Sequence, residues 1–502
     1  APRVDHRGSI AVNGAAALVG AEAATMTFRT SGLFDIQVEI RTADANGVAV
    51  SGDIIGPASS IAGDNHRVYL VAVPKNDALT MLVQQGPDLG FDVAGAADVD
   101  GNAVVLSAGH DVFFGSPESG ESSASGGAAN ADVRNAAITS AFTARTSGNL
   151  DVAATSGQAM SFSSDVNLVS TGGYIHVESF GTDAQLDIDG NLTTVTDRFG
   201  DSAGQSVTAG QTAIFAQGGG SLNIYGNVNV SANGLGGASF EAGNAGNGTG
   251  GQVLVQAEAG SSLNIGGSLF ITADGFGGQP GSPGLNAGNG TGGSVFVGTL
   301  GDSATLSVAT TTFASASGFG GAGDGSGNEC FSCNGLGGTG RGGFVEVGTD
   351  SGSGSTAFFG DLVELYANGT GGRSALAGSA SGAGVGGTVD IFALGGSRVE
   401  GFGLHFISDL VASASAFGGE SFTSGIAAGA GNGGFVHIAP GANSTLGIEG
   451  DLDVDADGMG GFNDFDVDGG DGTGGSVMLF TAEGNASISV TGTADLGAGG
   501  EG

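Results

Sequence analysis

The sequence predicts an all-β protein, a right-handed parallel β-helix (a solenoid) with Gly-rich loops at one corner of the coil. Three observations predict it: a Gly-rich block recurs about every 43 residues, apolar residues alternate within each block, and glycine or serine separates the alternating runs. The right hand is expected from the general preference of parallel crossovers. Stacking coils about 4.8 Å apart would bury inward valines that a single coil leaves exposed.

The repeat is clearest at the start of each coil, where glycines precede an apolar run. The first apolar residues of successive copies lie 39 to 50 residues apart, which indicates a constant core and a loop of variable length. These marker residues are Ile175, Ile214, Val253, Val295, Val345, Val389, Val436 and Val477.

Three short strands are predicted in each coil, for example Val253 to Val255, Leu263 to Ile265 and Leu269 to Ala273. If the first strands stack in register, their outward residues form one vertical row. Two adjacent carboxylates in that row would repel each other, and the histidine beside them would offset part of the repulsion. The predicted row is Leu254, Phe296, Glu346, Asp390, His437 and Met478.

Each set of strands ends in a second motif, such as Ala273 to Gly278: alanine, then Asn, Asp or Ser, a glycine, a large apolar residue and two more glycines. We expect the first glycine to supply the positive backbone dihedral of a tight turn. We expect the large apolar residues to stack from coil to coil. The following stretch, Gln279 to Gly290, has no periodicity and is predicted to be a loop.

Three regions are predicted along the chain: a first set of β-helix coils over residues 1–115, a Ser/Gly/Ala-rich loop or linker over 116–137, and the Gly-rich β-helix of about 43-residue repeats over 138–502. The first region has apolar runs at shorter spacing. They are Ser9 to Val12, Leu33 to Ile40, Val68 to Val73, Ala78 to Val83 and Ala103 to Leu106.

Two segments of the first region carry a family resemblance. Arg67 to Leu82 reads RVYLVAVPKNDALTML and Val104 to Val112 reads VVLSAGHDV. Over residues 8–115 the sequence resembles the shaft of filamentous-haemagglutinin-like, two-partner-secreted adhesins of Gram-negative bacteria. The resemblance implies a secreted β-helical protein of the bacterial cell surface, exported by an outer-membrane partner and displayed as a fibre.

Net charge and the length of apolar runs limit the classes of partner that the chain can bind. The chain has 50 acidic and 12 basic residues, a formal net charge of −38, which excludes nucleic acid and anionic lipid as partners. No uncharged apolar run approaches 20 residues, so no membrane insertion is predicted. The expected partners are glycans or proteins of a host, cell surface or matrix, the secretion partner, and further copies of the chain stacked end to end.

Several motifs could bear chemistry. Gly246 to Gly251 has the letters of a dinucleotide-binding loop, but the motif recurs at 288–293 and opens a strand, so we interpret it as a coil corner. A crowd of aspartates with Gly469 to Gly472 suggests calcium as a possible cofactor, although the nine-residue period of calcium-binding repeats is missing. The alternative is a solvated strand face. The candidate calcium ligands are Asp464, Asp466, Asp468 and Asp471.

The only two cysteines, Cys330 and Cys333, are predicted to form a local disulfide in the longest loop, with reduced thiols as the alternative. Phe331, Phe417 and Phe462 are candidates for surface contact, although they could instead pack against their own loops.

The sequence therefore predicts a non-catalytic extracellular or cell-surface fibre of the adhesin type. The alternatives are a self-assembling filament or sheath subunit and a glycan-processing β-helix enzyme. Paired carboxylates such as Glu346 and Asp390 suggest the enzyme, but the basic residues after Arg198 are few and scattered, and no assembled catalytic site is predicted.

Overall fold

The computed structural model is all-β. It describes only strands within residues 1–146. From residue 148 onward it describes everything except 201–203, 240–242, 282–284, 324–334, 351–353, 375–379, 395–402, 423–427, 464–468 and 482–483. Within these limits the chain has no helix, and therefore no helix long and apolar enough to cross a membrane.

The chain divides into two compact units, which are interleaved in sequence. Unit 1 contains Ala1–Thr196, Ala213–Asn229 and Ser261–Gly266; unit 2 contains Asp197–Thr212, Val230–Gly260 and Gly267–Gly502. In both units parallel strands recur in the same order and stack in register, so the predicted parallel β-helix is confirmed. One turn of the helix is called a rung below.

Unit 1 has three parallel sheets. The first contains Leu79–Val83, Ala129–Arg134, Leu150–Thr155, Ile175–Phe180 and Gln211–Gln217. The second contains Ser9–Ala11, Ser60–Ala62, Asp88–Leu89, Ala137–Ile138, Ala159–Phe162, Gln185–Ile188, Ser221–Ile224 and Ser262–Ile265. The third contains Ala16–Gly20, Arg67–Ala72, Ala103–Ala108, Ala141–Thr146, Val166–Ser170, Leu192–Val195 and Val228–Ser231.

Three features of unit 1 differ from the prediction. Ala23–Phe28 and Phe34–Ile40 pair antiparallel, as a hairpin rather than as part of a coil, and Val4–Asp5 pairs with Ile54–Ile55 outside the three sheets. Ala129–Arg134 lies inside the predicted linker of 116–137, yet it pairs with strands on both sides. That part of the segment is strand because alternate residues of Ala-Asp-Val continue the period-two pattern despite the weak apolar content.

Unit 2 has the same three kinds of sheet. The first contains Gln252–Glu258, Ser294–Leu300, Phe344–Asp350, Thr388–Ala393, Phe435–Pro440 and Ser476–Leu479. The second contains Thr305–Val308, Thr356–Phe359, Leu404–Phe406, Thr445–Ile448 and Ser487–Val490. The third contains Leu269–Thr272, Thr312–Ser315, Val363–Tyr366, Leu410–Ser413, Leu452–Asp455 and Ala494–Gly497.

Unit 2 also has two narrow sheets of two-residue strands, which the sequence did not reveal. The outgoing strands are Arg198–Phe199, Gly234–Leu235, Gly275–Phe276, Gly318–Phe319, Gly369–Thr370, Ala416–Phe417, Gly458–Met459 and Gly500–Glu501. The returning strands are Val207–Thr208, Gly248–Thr249, Gly290–Thr291, Gly340–Arg341, Gly384–Val385, Gly431–Asn432 and Gly472–Thr473. The Gly-rich loops lie between an outgoing strand and the next returning strand, at one corner as predicted.

The core is built from alternate residues of the three wide sheets. In the first sheet of unit 2, Val295 and Val297 are fully buried while Phe296 between them points outward. Larger side chains fill the second sheet, where Phe359 and Phe406 are fully buried and stack with ring centroids 5.3 Å apart. Because the buried set has period two, only one register keeps it inside.

A ladder of glycine backbones, here called the glycine ladder, joins the rungs of unit 2. Each of its glycines after the first donates its N–H to the carbonyl of the glycine before it, over 2.7 to 2.9 Å. A Cβ on any of these donor glycines would lie closer than 3.0 Å to a carbonyl oxygen, so no other residue fits. The glycines are, in order, Gly237, Gly246, Gly278, Gly288, Gly321, Gly338, Gly372, Gly382, Gly419, Gly429, Gly461 and Gly470.

A second ladder uses side chains at the end of the third sheet. The oxygen of Asn368 accepts the backbone N–H of Ser415 (2.7 Å), and the hydroxyl of Ser415 accepts the N–H of Asp457 (3.2 Å) in the next rung. This corner ladder comprises Asp197, Asn233, Asp274, Ser317, Asn368, Ser415 and Asp457.

The predicted role of the glycine after these residues was therefore wrong. Gly234, Gly275, Gly318 and Gly458 are not among the glycines with positive φ. They are glycines because the returning strand approaches too closely: a Cβ on Gly275 would collide with the carbonyl of Thr291. The expected stacking of the neighbouring apolar residues is confirmed, since the rings of Phe276 and Phe319 lie 4.9 Å apart and only 8° from parallel.

Candidate binding groove

The outward row of the first sheet is the starting point of the candidate site. Register pairs place Leu254 beside Phe296, Phe296 beside Glu346, Glu346 beside Asp390, Asp390 beside His437, and His437 beside Met478. The predicted row is confirmed in full. Its ionisable members are Glu346, Asp390 and His437, on three consecutive rungs.

These three side chains interact along the row. His437 Nδ1 lies 2.6 Å from Asp390 Oδ1, a distance that fits a hydrogen bond from the imidazole to the carboxylate. Partial burial raises the pKa of Glu346, and the negative charges of Asp390 and then Asp350 raise it further. The predicted contact between His437 and Asp390 is thus present, while the charge of Glu346 is disfavoured.

Apolar side chains wall this row on one side and turn it into a groove. The groove has a volume of about 330 Å³, and its walls include Phe392, Leu394, Pro440 and Phe480. The ring of Phe480 packs against His437 with centroids 4.7 Å apart, yet its side chain remains 47% exposed. Aromatic surface and ionisable oxygens therefore face the same open space.

A glycine makes room for one wall. Phe392 lies in register beside Gly348 on the preceding rung. A Cβ on Gly348 would lie within 3.0 Å of atoms of the Phe392 ring and would also meet its backbone. The residue pair explains why the ring can lie close to the sheet instead of standing away from it.

The residues of the groove walls were not predicted from the sequence, whereas the row of ionisable residues on its floor was. Phe480, Leu394 and Gly441 follow the ends of strands, where period-two alternation no longer says which way a side chain points. One feature of the sequence could have indicated a wall. The repeat places Gly298, Gly348 and Phe392 at the same position of successive rungs, so a large ring follows two residues that have no side chain.

The predicted calcium site lies largely outside the described residues, since Asp464, Asp466 and Asp468 fall in 464–468. Asp471 is described, and its carbonyl accepts the N–H of Gly431 over 2.9 Å. No group of three or more potential metal ligands occurs in the described part of the chain. Calcium binding stays a prediction.

The other predicted contact residues are only partly described. Cys330, Phe331 and Cys333 lie outside the described residues, so the disulfide stays a prediction. Phe417 is 40% exposed on an outgoing strand, and Phe462 is 66% exposed. The structure does not bring either phenylalanine to the groove.

The dinucleotide-loop alternative can be judged from the backbone. Gly248–Thr249 is a returning strand that pairs in parallel with Gly290–Thr291, and the element that follows it is the strand Gln252–Glu258 rather than a helix. A Cβ on Gly246 or Gly250 would collide with a neighbouring carbonyl. These glycines pack backbone against backbone, as a coil corner, and their N–H groups bond to backbone carbonyls, Gly246 to Gly237 of the same rung and Gly250 to Thr291 of the next, instead of cradling a phosphate.

Comparisons with protein-family models, with curated proteins and with solved structures found no match to this chain. The resemblance to filamentous-haemagglutinin-like adhesins stays a prediction. The fold and the groove described above are the evidence on which function is proposed.

Proposed function

We propose that this chain is part of an extracellular or cell-surface structural fibre of the adhesin type. It would act without catalysis, through a stiff β-helical shaft and a contact surface on the first sheet. The observation that carries the proposal is rung-to-rung bonding in unit 2, where parallel sheets, the glycine ladder and the corner ladder repeat over successive rungs. Such repeated nearest-neighbour bonding resists bending and local opening.

The groove supports contact as the second half of this function. Exposed Phe480 offers an aromatic face, and the oxygens of Glu346 and Asp390 accept hydrogen bonds, which together suit a sugar. The net charge of −38 disfavours nucleic acids and anionic membranes as the contacted surface. We therefore propose glycans of a cell surface or matrix as the partner class.

One observation favours a second candidate, a glycan-processing enzyme. Glycosidases pair a carboxylic acid of raised pKa with an ionised carboxylate, and Glu346 beside Asp390 has this combination of electrostatics. Release of reducing ends from neutral or acidic polysaccharides, abolished in Glu346→Gln, would replace the non-catalytic proposal with this one.

The test of the shaft is electron microscopy of the purified chain, with and without a calcium chelator. Straight rods of one length under both conditions would support the shaft. Filaments of many chain lengths would support instead a self-assembling sheath, and their loss in chelator would make calcium part of the assembly. Compact, non-elongated particles would refute the fibre.

A further inference from the structure

The groove on the first sheet of unit 2 offers hydrogen-bond acceptors and almost no donors. Glu346, Asp350 and Asp390 contribute carboxyl oxygens, and no lysine or arginine among the described residues lines the groove. The nitrogen His437 Nδ1 is already engaged with Asp390. A ligand that fits must therefore donate hydrogen bonds and carry positive or no charge.

The groove floor is a poor match for an extended peptide. The strands that carry Glu346, Asp390 and His437 lie inside the sheet and pair in register with neighbours on both sides, as Thr388–Ala393 does with Phe344–Asp350 and Phe435–Pro440. Their backbone groups are used by the sheet, so a peptide lying over these three residues would find no edge to extend; the edge strand Ser476–Leu479 lies one rung beyond His437. Its carbonyls would also meet the acceptor-rich floor. A ligand whose donors are hydroxyl and ammonium groups avoids both problems.

The walls favour a ring with an apolar face. Phe392 and Phe480 present aromatic carbon to the groove, and a cation close to such a ring gains further attraction from its π electrons. The lining residues come from four successive rungs, a length of roughly 14 Å at about 4.8 Å per rung. This length suits a short oligosaccharide.

We propose that this groove binds a glycan whose pyranose rings carry a protonated primary amine. Each ring would place its ammonium group among Glu346, Asp350 and Asp390 and its apolar face on Phe480. The inference rests on the proposed function in taking the groove as the contact surface, and it adds the chemistry of the ligand. N-acetylation of the same sugar removes the charge and adds a carbonyl acceptor, so it should abolish the fit.

The test is calorimetric titration of the full chain at pH 6 and low salt with a glucosamine tetramer, its N-acetylated counterpart and cellotetraose. We expect the amine-bearing tetramer to bind at least tenfold more tightly than the other two, and to weaken as salt is added. Equal affinity for the three sugars, or no binding of the glucosamine tetramer, would overturn the proposal.

Variants locate the binding. Asp390→Asn keeps an oxygen that can accept from His437, and Phe480→Ala removes an exposed ring, so neither should unfold the chain. Each should weaken binding at least tenfold. Asp453→Asn, which removes one exposed charge from the third sheet, is the matched control and should change affinity less than twofold. If Asp453→Asn weakens binding as much as Asp390→Asn, the attraction is general charge and the groove is not the site.

Microscopy of the same samples separates this inference from the proposed function. If the particles are rods that do not bind the glucosamine tetramer, the proposed ligand is wrong and the proposed shaft stands. If the particles bind the tetramer but are not elongated, the proposed shaft is wrong and the proposed ligand stands.

Discussion

Replacement of Gly382 by alanine tests the glycine ladder, the feature that fixes how closely successive rungs of unit 2 approach. Gly382 donates its N–H to Gly372 over 2.7 Å and accepts from Gly419 over 2.9 Å. A new Cβ would fall closer than 3.0 Å to the carbonyl oxygen of Gly338, a backbone atom that cannot rotate away. The rungs must separate locally, and both hydrogen bonds lengthen.

The expected cost follows from three contributions. Two weakened backbone hydrogen bonds cost about 2 kcal/mol together, and overpacking costs about 1–3 kcal/mol more. Alanine also stiffens the unfolded chain, which favours folding by about 0.4–1 kcal/mol. The free energy of unfolding should therefore fall by about 2–5 kcal/mol.

Gly469→Ala is the matched control, because a Cβ there would meet only the carbonyl of Gly461, at 3.3 Å, and one atom of Gly502 at an ordinary contact distance. Urea unfolding followed by far-ultraviolet circular dichroism should show a lower midpoint for Gly382→Ala and a change within about 0.5 kcal/mol for Gly469→Ala. The reasoning fails if the two variants unfold at the same midpoint, since the rungs would then not approach as closely as the ladder requires.

Three further perturbations test the corner ladder, the core and the groove. Asn368→Ala leaves the N–H of Ser415 without its acceptor and should destabilise the chain by about 1–3 kcal/mol, whereas Asn368→Ser, which restores the hydroxyl used on other rungs, should lose less; equal losses would contradict the ladder. Phe359→Ala removes a fully buried ring stacked on Phe406 and should cost about 3–5 kcal/mol in urea unfolding, and a loss under 1 kcal/mol would show that the ring is not in the core. Glu346→Gln should raise the melting temperature at pH 7. The pKa of Glu346 is raised in the folded state, so the glutamate contributes to stability at low pH and this contribution is lost as pH rises through the folded-state pKa. The higher melting temperature of Glu346→Gln should therefore disappear below the usual carboxyl range. A difference in melting temperature that grows toward acid would contradict the prediction.

The wide sheets could be predicted from the sequence because burial of alternate residues leaves one possible register between strands. Val345 and Val347 must both face the core, so Glu346 must face outward, and the repeat then places it beside Asp390. The same logic extends to His437. The charged floor of the groove therefore follows from two properties of the sequence, the period-two alternation and the spacing of the repeat.

The narrow sheets could not be predicted in the same way. A two-residue strand such as Gly290–Thr291 is too short to show alternation, and glycine gives no hydrophobic signal. The glycines of the outgoing strands, such as Gly275, were correctly predicted to be required, but the predicted reason, a positive φ, was wrong. Close approach of two backbones and a left-handed turn both select glycine, and a single sequence does not distinguish them.

The narrow sheets also bear on the groove. A binding site made of side chains from separate rungs keeps its shape only if the spacing between rungs is fixed. In unit 2 the glycine ladder fixes that spacing through atoms that have no side-chain freedom, and the corner ladder adds a second set of bonds on another part of each rung. Glu346, Asp390 and His437 are thus held in a row by the same backbone bonding that stiffens the coil, so Gly382→Ala should weaken the binding of a glucosamine tetramer as well as the fold. Unchanged affinity in the folded variant would show that the row is positioned by the first sheet alone.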